Sequence, residues 1–174
     1  MGDLTMDELR GWFAGRIPDE WFTGPLDVTV DREEILVVGT LAEPEGVEGE
    51  ADGAEATAAA KGRISRFRED TRDERIHIAR EAEHRFGRKI AWGAECGQVR
   101  SVFTNLAVPV MTRLRQPERL VLDTLVDAGV ARSRAHALAW CVRLVGENSD
   151  DWLGRLREAM TEVQRVRDEG PGSA

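Results

Sequence analysis

Apolar positions along this chain recur in two periods. Leu9, Trp12, Phe13 and Ile17 are three and four residues apart, which predicts a helix that stops before Pro18 and opens on Thr5-Met6-Asp7-Glu8, the form of a capping box. Trp21 and Phe22 follow as anchors for packing. Leu26-Asp27-Val28-Thr29-Val30 alternates with period two, Asp31-Arg32 supplies a turn, and residues 35–41 form a β-branched apolar run, so a β-hairpin is predicted. From Lys61 the helical period returns. Ile64, Phe67, Thr71, Ile78, Ala82 and Phe86 mark one face of a single long helix, with Gly87 placed to end it. Residues 89–96 read as a further strand, followed by a turn and a short segment over 99–106. Residues 42–60 combine Gly, Glu, Ala and one Pro with no aromatic residue, and read as a flexible acidic linker. The first 107 residues thus predict a small α-β-β-α-β layer of the α+β class.

The pattern then changes. Over 110–115, a predicted strand, Met111, Arg113 and Arg115 point to one face and Val110, Thr112 and Leu114 to the other. Pro117 suits the first position of a helix built on Leu120, Val121, Leu122, Leu125 and Val126, which Gly129 closes. Ser133 can cap a second helix with the stripe Ala137, Leu138, Cys141, Leu144 and Val145. Beyond residue 148, Trp152, Leu153, Leu156, Met160 and Val163 predict a third helix from a Ser149 cap to Val166, ahead of a short tail.

Charge changes the picture more than composition does. The 174 residues are 41% hydrophobic and carry a net charge of −8, but the sign is split along the chain. Residues 1–60 hold 3 basic and 15 acidic side chains, whereas 61–148 hold 17 and 11. The overall acidity is therefore a poor argument against a polyanionic partner. No apolar run approaches the ~18 residues of a membrane span. Residues 1–8 carry acids where a secretion signal needs positive charge, so a cytoplasmic protein is expected.

The order strand, Pro117, helix, Gly129 turn and Ser133-capped helix over 110–145 (VMTRLRQPERLVLDTLVDAGVARSRAHALAWCVRLV) resembles the ribbon-helix-helix family of DNA-binding proteins, the Arc and MetJ class. Gln116 and Thr112 depart from that family's apolar pattern. The resemblance implies a homodimer whose paired strands enter the major groove of double-stranded DNA. It implies Met111, Arg113 and Arg115 as base-facing residues, and Arg132, Ser133 and Arg134 as phosphate contacts at the start of the second helix. Leu114, Leu122, Leu125, Leu138, Cys141 and Leu144 would form the dimer interface. The whole then reads as an α+β domain over 1–107, a ribbon-helix-helix over 108–148 and a C-terminal helix over 149–174. The implied function is a sequence-specific transcriptional regulator or a nucleoid-associated factor, with a protein partner for the N-terminal domain. The rival is an RNA-associated or protein-interaction module in which the hairpin and basic helix work and the C-terminal part only dimerises.

Other constellations carry less chemistry. The basic stretch 61–89 interleaves acids with its arginines, so helical ion pairing accounts for it as well as a second phosphate surface does. His77, His84 and His136 lack the spacing of a metal set, and no metal or cofactor is expected. Cys96 and Cys141 read as packing residues. Glu33 and Glu34 fall on opposite faces of a strand, and no nucleophile elbow, phosphate-binding glycine loop or HExxH occurs, so no enzyme is expected. Five tryptophans with no tyrosine, Trp92 and Trp140 among them, point to core and interface.

Overall fold

The computed structural model describes residues 5–45, 53–104 and 106–169, apart from the side chain of Asp168. The protein is of the α+β class, and divides into two compact units, Met1–Pro109 and Val110–Ala174.

The first unit follows the expected order closely. Helix α1 (Met6–Arg16) opens on Thr5, whose hydroxyl accepts from the Glu8 amide at 3.2 Å, and closes at Ile17 just ahead of Pro18. Strands β1 (Asp27–Val30) and β2 (Glu34–Thr40) form the predicted antiparallel hairpin. Its turn is locked by Asp31, whose Oδ1 accepts from the amides of Glu33 and Glu34 at 2.8 and 2.7 Å. Those two bonds hold the Asp31 carboxyl below the usual aspartate range, because they favour its charged form.

Two expectations need correction between the hairpin and the next strand. The acidic linker does not run to residue 60: α2 (Ala54–Asp70) begins inside it, and Ala60 is buried. Alanine loses no side-chain entropy in a helix, so this run of alanines prolongs the helix backwards, and its small side chains let the first turns approach the sheet. The part of the linker over 46–52 lies outside the described residues. The predicted single helix is also two, α2 and α3 (Arg72–Phe86), broken at Thr71. There the hydroxyl donates back to the Phe67 carbonyl at 2.6 Å and accepts from Arg75 Nε at 3.0 Å. Such back-bonding competes with the helical ladder, and Thr71 leaves the helical region at φ −97°, ψ 7°. Gly87 ends α3 in the left-handed region, φ 66°, as its position predicted.

Strand β3 (Lys89–Cys96) pairs in parallel with β2, the geometry that requires a long crossover such as α2–α3, and β4 (Val99–Val102) returns antiparallel to it. The sheet order is β1-β2-β3-β4. Ile35, Val37, Leu41, Ile90, Trp92, Ala94 and Cys96 share the core with Leu9 and Phe13 of α1, Phe67 of α2, and Ile78 and Ala82 of α3. Aromatic rings knit this layer edge to face, Phe13 on Trp92 at 6.1 Å and Trp21 on Phe67 at 5.4 Å among them. Gly39 is required: a Cβ there would lie 2.3 Å from the Phe22 ring. On the opposite sheet face the register lines up Asp27, Val38, Gly93 and Val102, and Arg100 pairs with both Asp27, at 2.8 Å, and Glu95.

The second unit is three helices, α4 (Gln116–Asp127), α5 (Arg134–Asn148) and α6 (Asp150–Glu169). Pro117 sits in the first turn of α4, and Gly129 turns the chain at φ 74°. The strand expected over 110–115 pairs with nothing among the described residues: the segment carries no ladder. An extended segment gains ladder hydrogen bonds only from a second strand, and within one chain none is offered here. No helix among the described residues is long and apolar enough to cross a membrane.

Candidate nucleic-acid interface

Start with the residues that close α4 and α5 on each other. Leu122, Ala131 and Ala137 are buried, and Leu114, Leu125, Val126, Leu138 and Cys141 pack half-buried around them. Five of the six expected dimer-interface residues are therefore engaged first in the fold of their own chain. Only Leu144 stands exposed. What remains uncovered on this pair of helices is a different set: Leu120, Val121, Val142 and Val145, with Val142 65% exposed. Helix α6 likewise presents Trp152, Leu156, Met160, Val163 and Val166 to solvent. Most of those residues were visible in the sequence as parts of apolar stripes, though Val142 and Val166 were not. Which of them the chain covers itself was not, since a stripe records amphipathicity and not the width of the face its partner occupies.

The segment leading into α4 is anchored at one end only. Arg119 Nη1 donates to the Leu114 carbonyl at 2.8 Å, and Leu114 packs onto the small core. Arg115 caps α4 in an extended conformation, φ −81°, ψ 173°. Ahead of that anchor the chain is open, with Val110 85% and Met111 98% exposed, and Arg113 and Arg115 are exposed as well. Met111, Arg113 and Arg115 are thus accessible, as a reading surface requires.

At the start of α5, Ser133 adopts the extended capping conformation, and its Oγ accepts from the His136 amide at 3.2 Å. The Arg132 amide donates to His136 Nδ1 at 3.3 Å. The amides of Arg134 and Ala135 have no acceptor among the described residues, as is usual for the first turn of a helix. Arg132 is exposed beside them. Arg134 departs from the expected role: its guanidinium clasps Asp123 of α4 through Nε at 2.6 Å and Nη2 at 2.7 Å. That fork pulls the Asp123 carboxyl below its ordinary range, so the pair stays ionised and Arg134 is spent on joining α4 to α5. Asp123 is the residue sequence reasoning missed, because nothing local connects positions eleven apart across a turn.

Among the described residues, Arg66, Arg72 and Lys89 of the basic stretch 61–89 have carboxylate partners, and α1 adds a further clasp to α3. Arg16 clasps Glu81 at 2.6 and 3.1 Å, His77 meets Glu81 at 2.9 Å, and Lys89 meets Glu83 at 2.8 Å. Glu81 is held below the usual glutamate range by Arg16.

Comparison with known proteins adds kinship. Residues 7–102 match the Rv1265-like protein N-terminal domain, and residues 115–167 match the Mb1296 C-terminal domain, so most of the open segment 110–115 falls between the two. The uncharacterized protein Mb1296 of Mycobacterium bovis is 59% identical over 160 residues, covering 92% of this chain and 69% of its own. The uncharacterized protein Rv1265 of Mycobacterium tuberculosis matches to the same extent. No solved structure matches the chain. A domain match over more than half the chain, together with relatives at this identity and coverage, places the chain in the Rv1265-like family.

Proposed function

We propose that the protein is a homodimeric, sequence-specific DNA-binding protein, acting in transcriptional regulation or on the nucleoid, with a ribbon-helix-helix arrangement in its second unit. One observation carries this reading: an exposed, unladdered segment bearing Met111, Arg113 and Arg115 leads into a helical hairpin that leaves Leu120, Val121, Val142 and Val145 uncovered. A second copy supplies what both features lack, a partner strand and a cover for the apolar face. The ribbon so formed presents two arginines per chain, and arginine donates in a bidentate fashion to guanine. The orphan amides at Ser133 and the exposed Arg132 provide phosphate contacts that fix register without reading sequence.

A second reading has its own support. Residues 110–174 hold ten basic and ten acidic side chains, and Arg134 is engaged by Asp123. An evenly charged unit with an uncovered apolar face also fits a module that only dimerises or binds protein.

Selection of bound sites from random duplex DNA, followed by affinity measurements across a salt series, separates the two. A groove reader enriches a site with twofold symmetry, and Arg113→Ala or Arg115→Ala each costs about 1–3 kcal/mol there while relaxing base preference. No enrichment, or equal loss on all sequences, removes the ribbon from the mechanism.

A further inference from the structure

The first unit holds an unusual cation. Arg75, on α3, is 7% exposed, and no carboxylate meets its guanidinium among the described residues. Its Nε donates to Thr71 Oγ1 and its Nη2 to the Arg68 carbonyl at 2.6 Å, while its face lies over the Phe103 ring at 4.9 Å. Nη1 has no partner among the described residues. The charged neighbours that act on it, Arg68 and Arg72, are cations, and burial together with that repulsion lowers its pKa to about 10. Even so it stays protonated at neutral pH, so the fold carries a largely buried positive charge whose acceptors among the described residues are neutral oxygens. Buried charges are ordinarily paired, and one that is not is held at a cost to the fold.

A cleft of about 290 Å³ opens beside it, lined by Arg75, Arg80, Glu83, Ile90, Trp92 and Thr104 among others. Trp92 is 3% exposed, and its Nε1 hydrogen is buried with no acceptor among the described residues. Buried indole N–H groups ordinarily find one. Glu83, the acid of that set, is taken by Lys89 Nζ at 2.8 Å. Arg80 is exposed at the rim. A buried cation without a carboxylate partner and a buried indole thus belong to residues that line one cleft, and an anion held there would meet the cation directly.

We propose that this cleft binds a compact phosphate-bearing small molecule, with Arg75 and Arg80 as its donors and Trp92 in its wall, where the indole reports on occupancy. A phosphate is favoured over a carboxylate because two arginines, Arg75 and Arg80, line the cleft and the charges of Arg68 and Arg72 act on Arg75 from nearby, and a dianion answers that positive field. The size of the cleft limits the ligand to little more than the phosphate and a small organic stem. The site lies within the first unit and stands apart from the DNA-binding reading.

The test follows the indole N–H resonance of Trp92 in the 15N-labelled full chain, assigned with Trp92→Phe. Inorganic phosphate and glycerol 3-phosphate are titrated separately, with acetate and chloride at matched ionic strength as controls. A saturable shift with either phosphate and with neither control supports the site, and the tighter of the two distinguishes free phosphate from a monoester. Arg80→Gln, at an exposed position that does not threaten the fold, should weaken binding about tenfold, as expected for one charge-assisted hydrogen bond. Arg75→Lys keeps the charge but loses the planar fork, and should weaken it too. A Trp92 resonance unmoved by either phosphate up to about 10 mM, a weak affinity even for a small fragment, overturns the proposal. So does an equal response to acetate, or binding by Arg80→Gln and Arg75→Lys as tight as by the unaltered chain.

Discussion

The two units of this chain solve the problem of apolar surface in opposite ways. In the first, helices on one face of a four-stranded sheet bury Leu9, Phe13, Ile35, Ile78 and their neighbours completely, and eight aromatic rings interlock. In the second, three residues are buried, whereas Val110, Met111, Leu120, Val121, Val142 and a stripe along α6 face outwards. The first unit has the core of a structure complete in one chain. The second leaves large apolar side chains exposed, which is what the proposed homodimer would cover. Stability should therefore be independent of concentration in the first unit and dependent on it in the second.

The largest effect tests the self-sufficient side. Phe13 has no exposed surface and touches Trp12, Phe86 and Trp92. Phe13→Ala should lower the stability of the first unit by about 3–5 kcal/mol, the usual cost of removing a buried ring. Denaturation followed by tryptophan fluorescence checks it, and the loss should be the same at every protein concentration. A midpoint that moves with concentration would tie the first unit to association as well and dissolve the contrast.

The next effect tests the open side. Val142 is exposed within its chain, so Val142→Asp should be nearly silent in a monomer. If a second copy covers that face, it buries a charge without a partner and should weaken the dimer by about 3 kcal/mol or more. Analytical ultracentrifugation of the two chains across micromolar concentrations decides the matter. An unaltered chain that sediments as a monomer throughout sinks the homodimer and with it the ribbon.

The same division explains what could be read from the sequence. Within the first unit, periodicity located α1, both strands of the hairpin, β3 and the Gly87 stop, since each is fixed by local pattern together with one covered face. The misreadings there were of continuity. Thr71 keeps the helical spacing while its hydroxyl breaks the ladder, and the alanines ahead of Lys61 look like linker by hydropathy but are helix by propensity. In the second unit the caps Pro117, Gly129 and Ser133 were legible for the same local reason. The partition of its stripes was not, because whether Leu122 or Val121 meets the neighbouring helix depends on a crossing geometry that spacing does not encode. The Arg75 cleft was hidden for a further reason: a buried arginine without a carboxylate partner is indistinguishable in sequence from the exposed arginines around it.

A smaller effect sharpens the assignment of Arg134. Asp123→Asn removes the carboxylate that holds it, leaving the guanidinium free to meet phosphate. Affinity for all duplex DNA at low salt should rise by less than about 1 kcal/mol, and the gain should shrink as salt is added, since the new contact is a screened surface charge. Arg134→Ala should leave affinity nearly unchanged, because that side chain is already occupied. A strong loss on Arg134→Ala would mean that the Asp123 clasp opens when DNA binds.

The smallest effect comes from acid, and it acts on the two units unequally. Glu81 clasped by Arg16, Asp31 in the hairpin turn and Asp123 clasped by Arg134 all have carboxyls held below their ordinary range. A carboxyl with a depressed folded-state pKa binds its proton more readily in the unfolded chain. Its contribution is therefore fully present above the unfolded value, about 4 for these side chains, and is lost as pH falls through the lower folded value. Both units consequently lose stability in the same direction below about pH 4, where unfolded carboxylates begin to protonate. The groups are exposed, so each loss is small and weakens further with salt. What differs is the share. In the first unit the Arg16–Glu81 clasp and the Asp31 turn supplement a large dry core, whereas in the second the Arg134–Asp123 clasp joins two helices whose common core is Leu122, Ala131 and Ala137. On acidification the helical signal of the second unit should fall before the near-ultraviolet signal of the aromatic core. Asp123→Asn should leave the second unit folded at neutral pH but remove the pH dependence of that early loss, while Glu81→Gln should leave it in place. Coincident loss of both signals, unaltered by Asp123→Asn, would show that the second unit does not lean on its clasp.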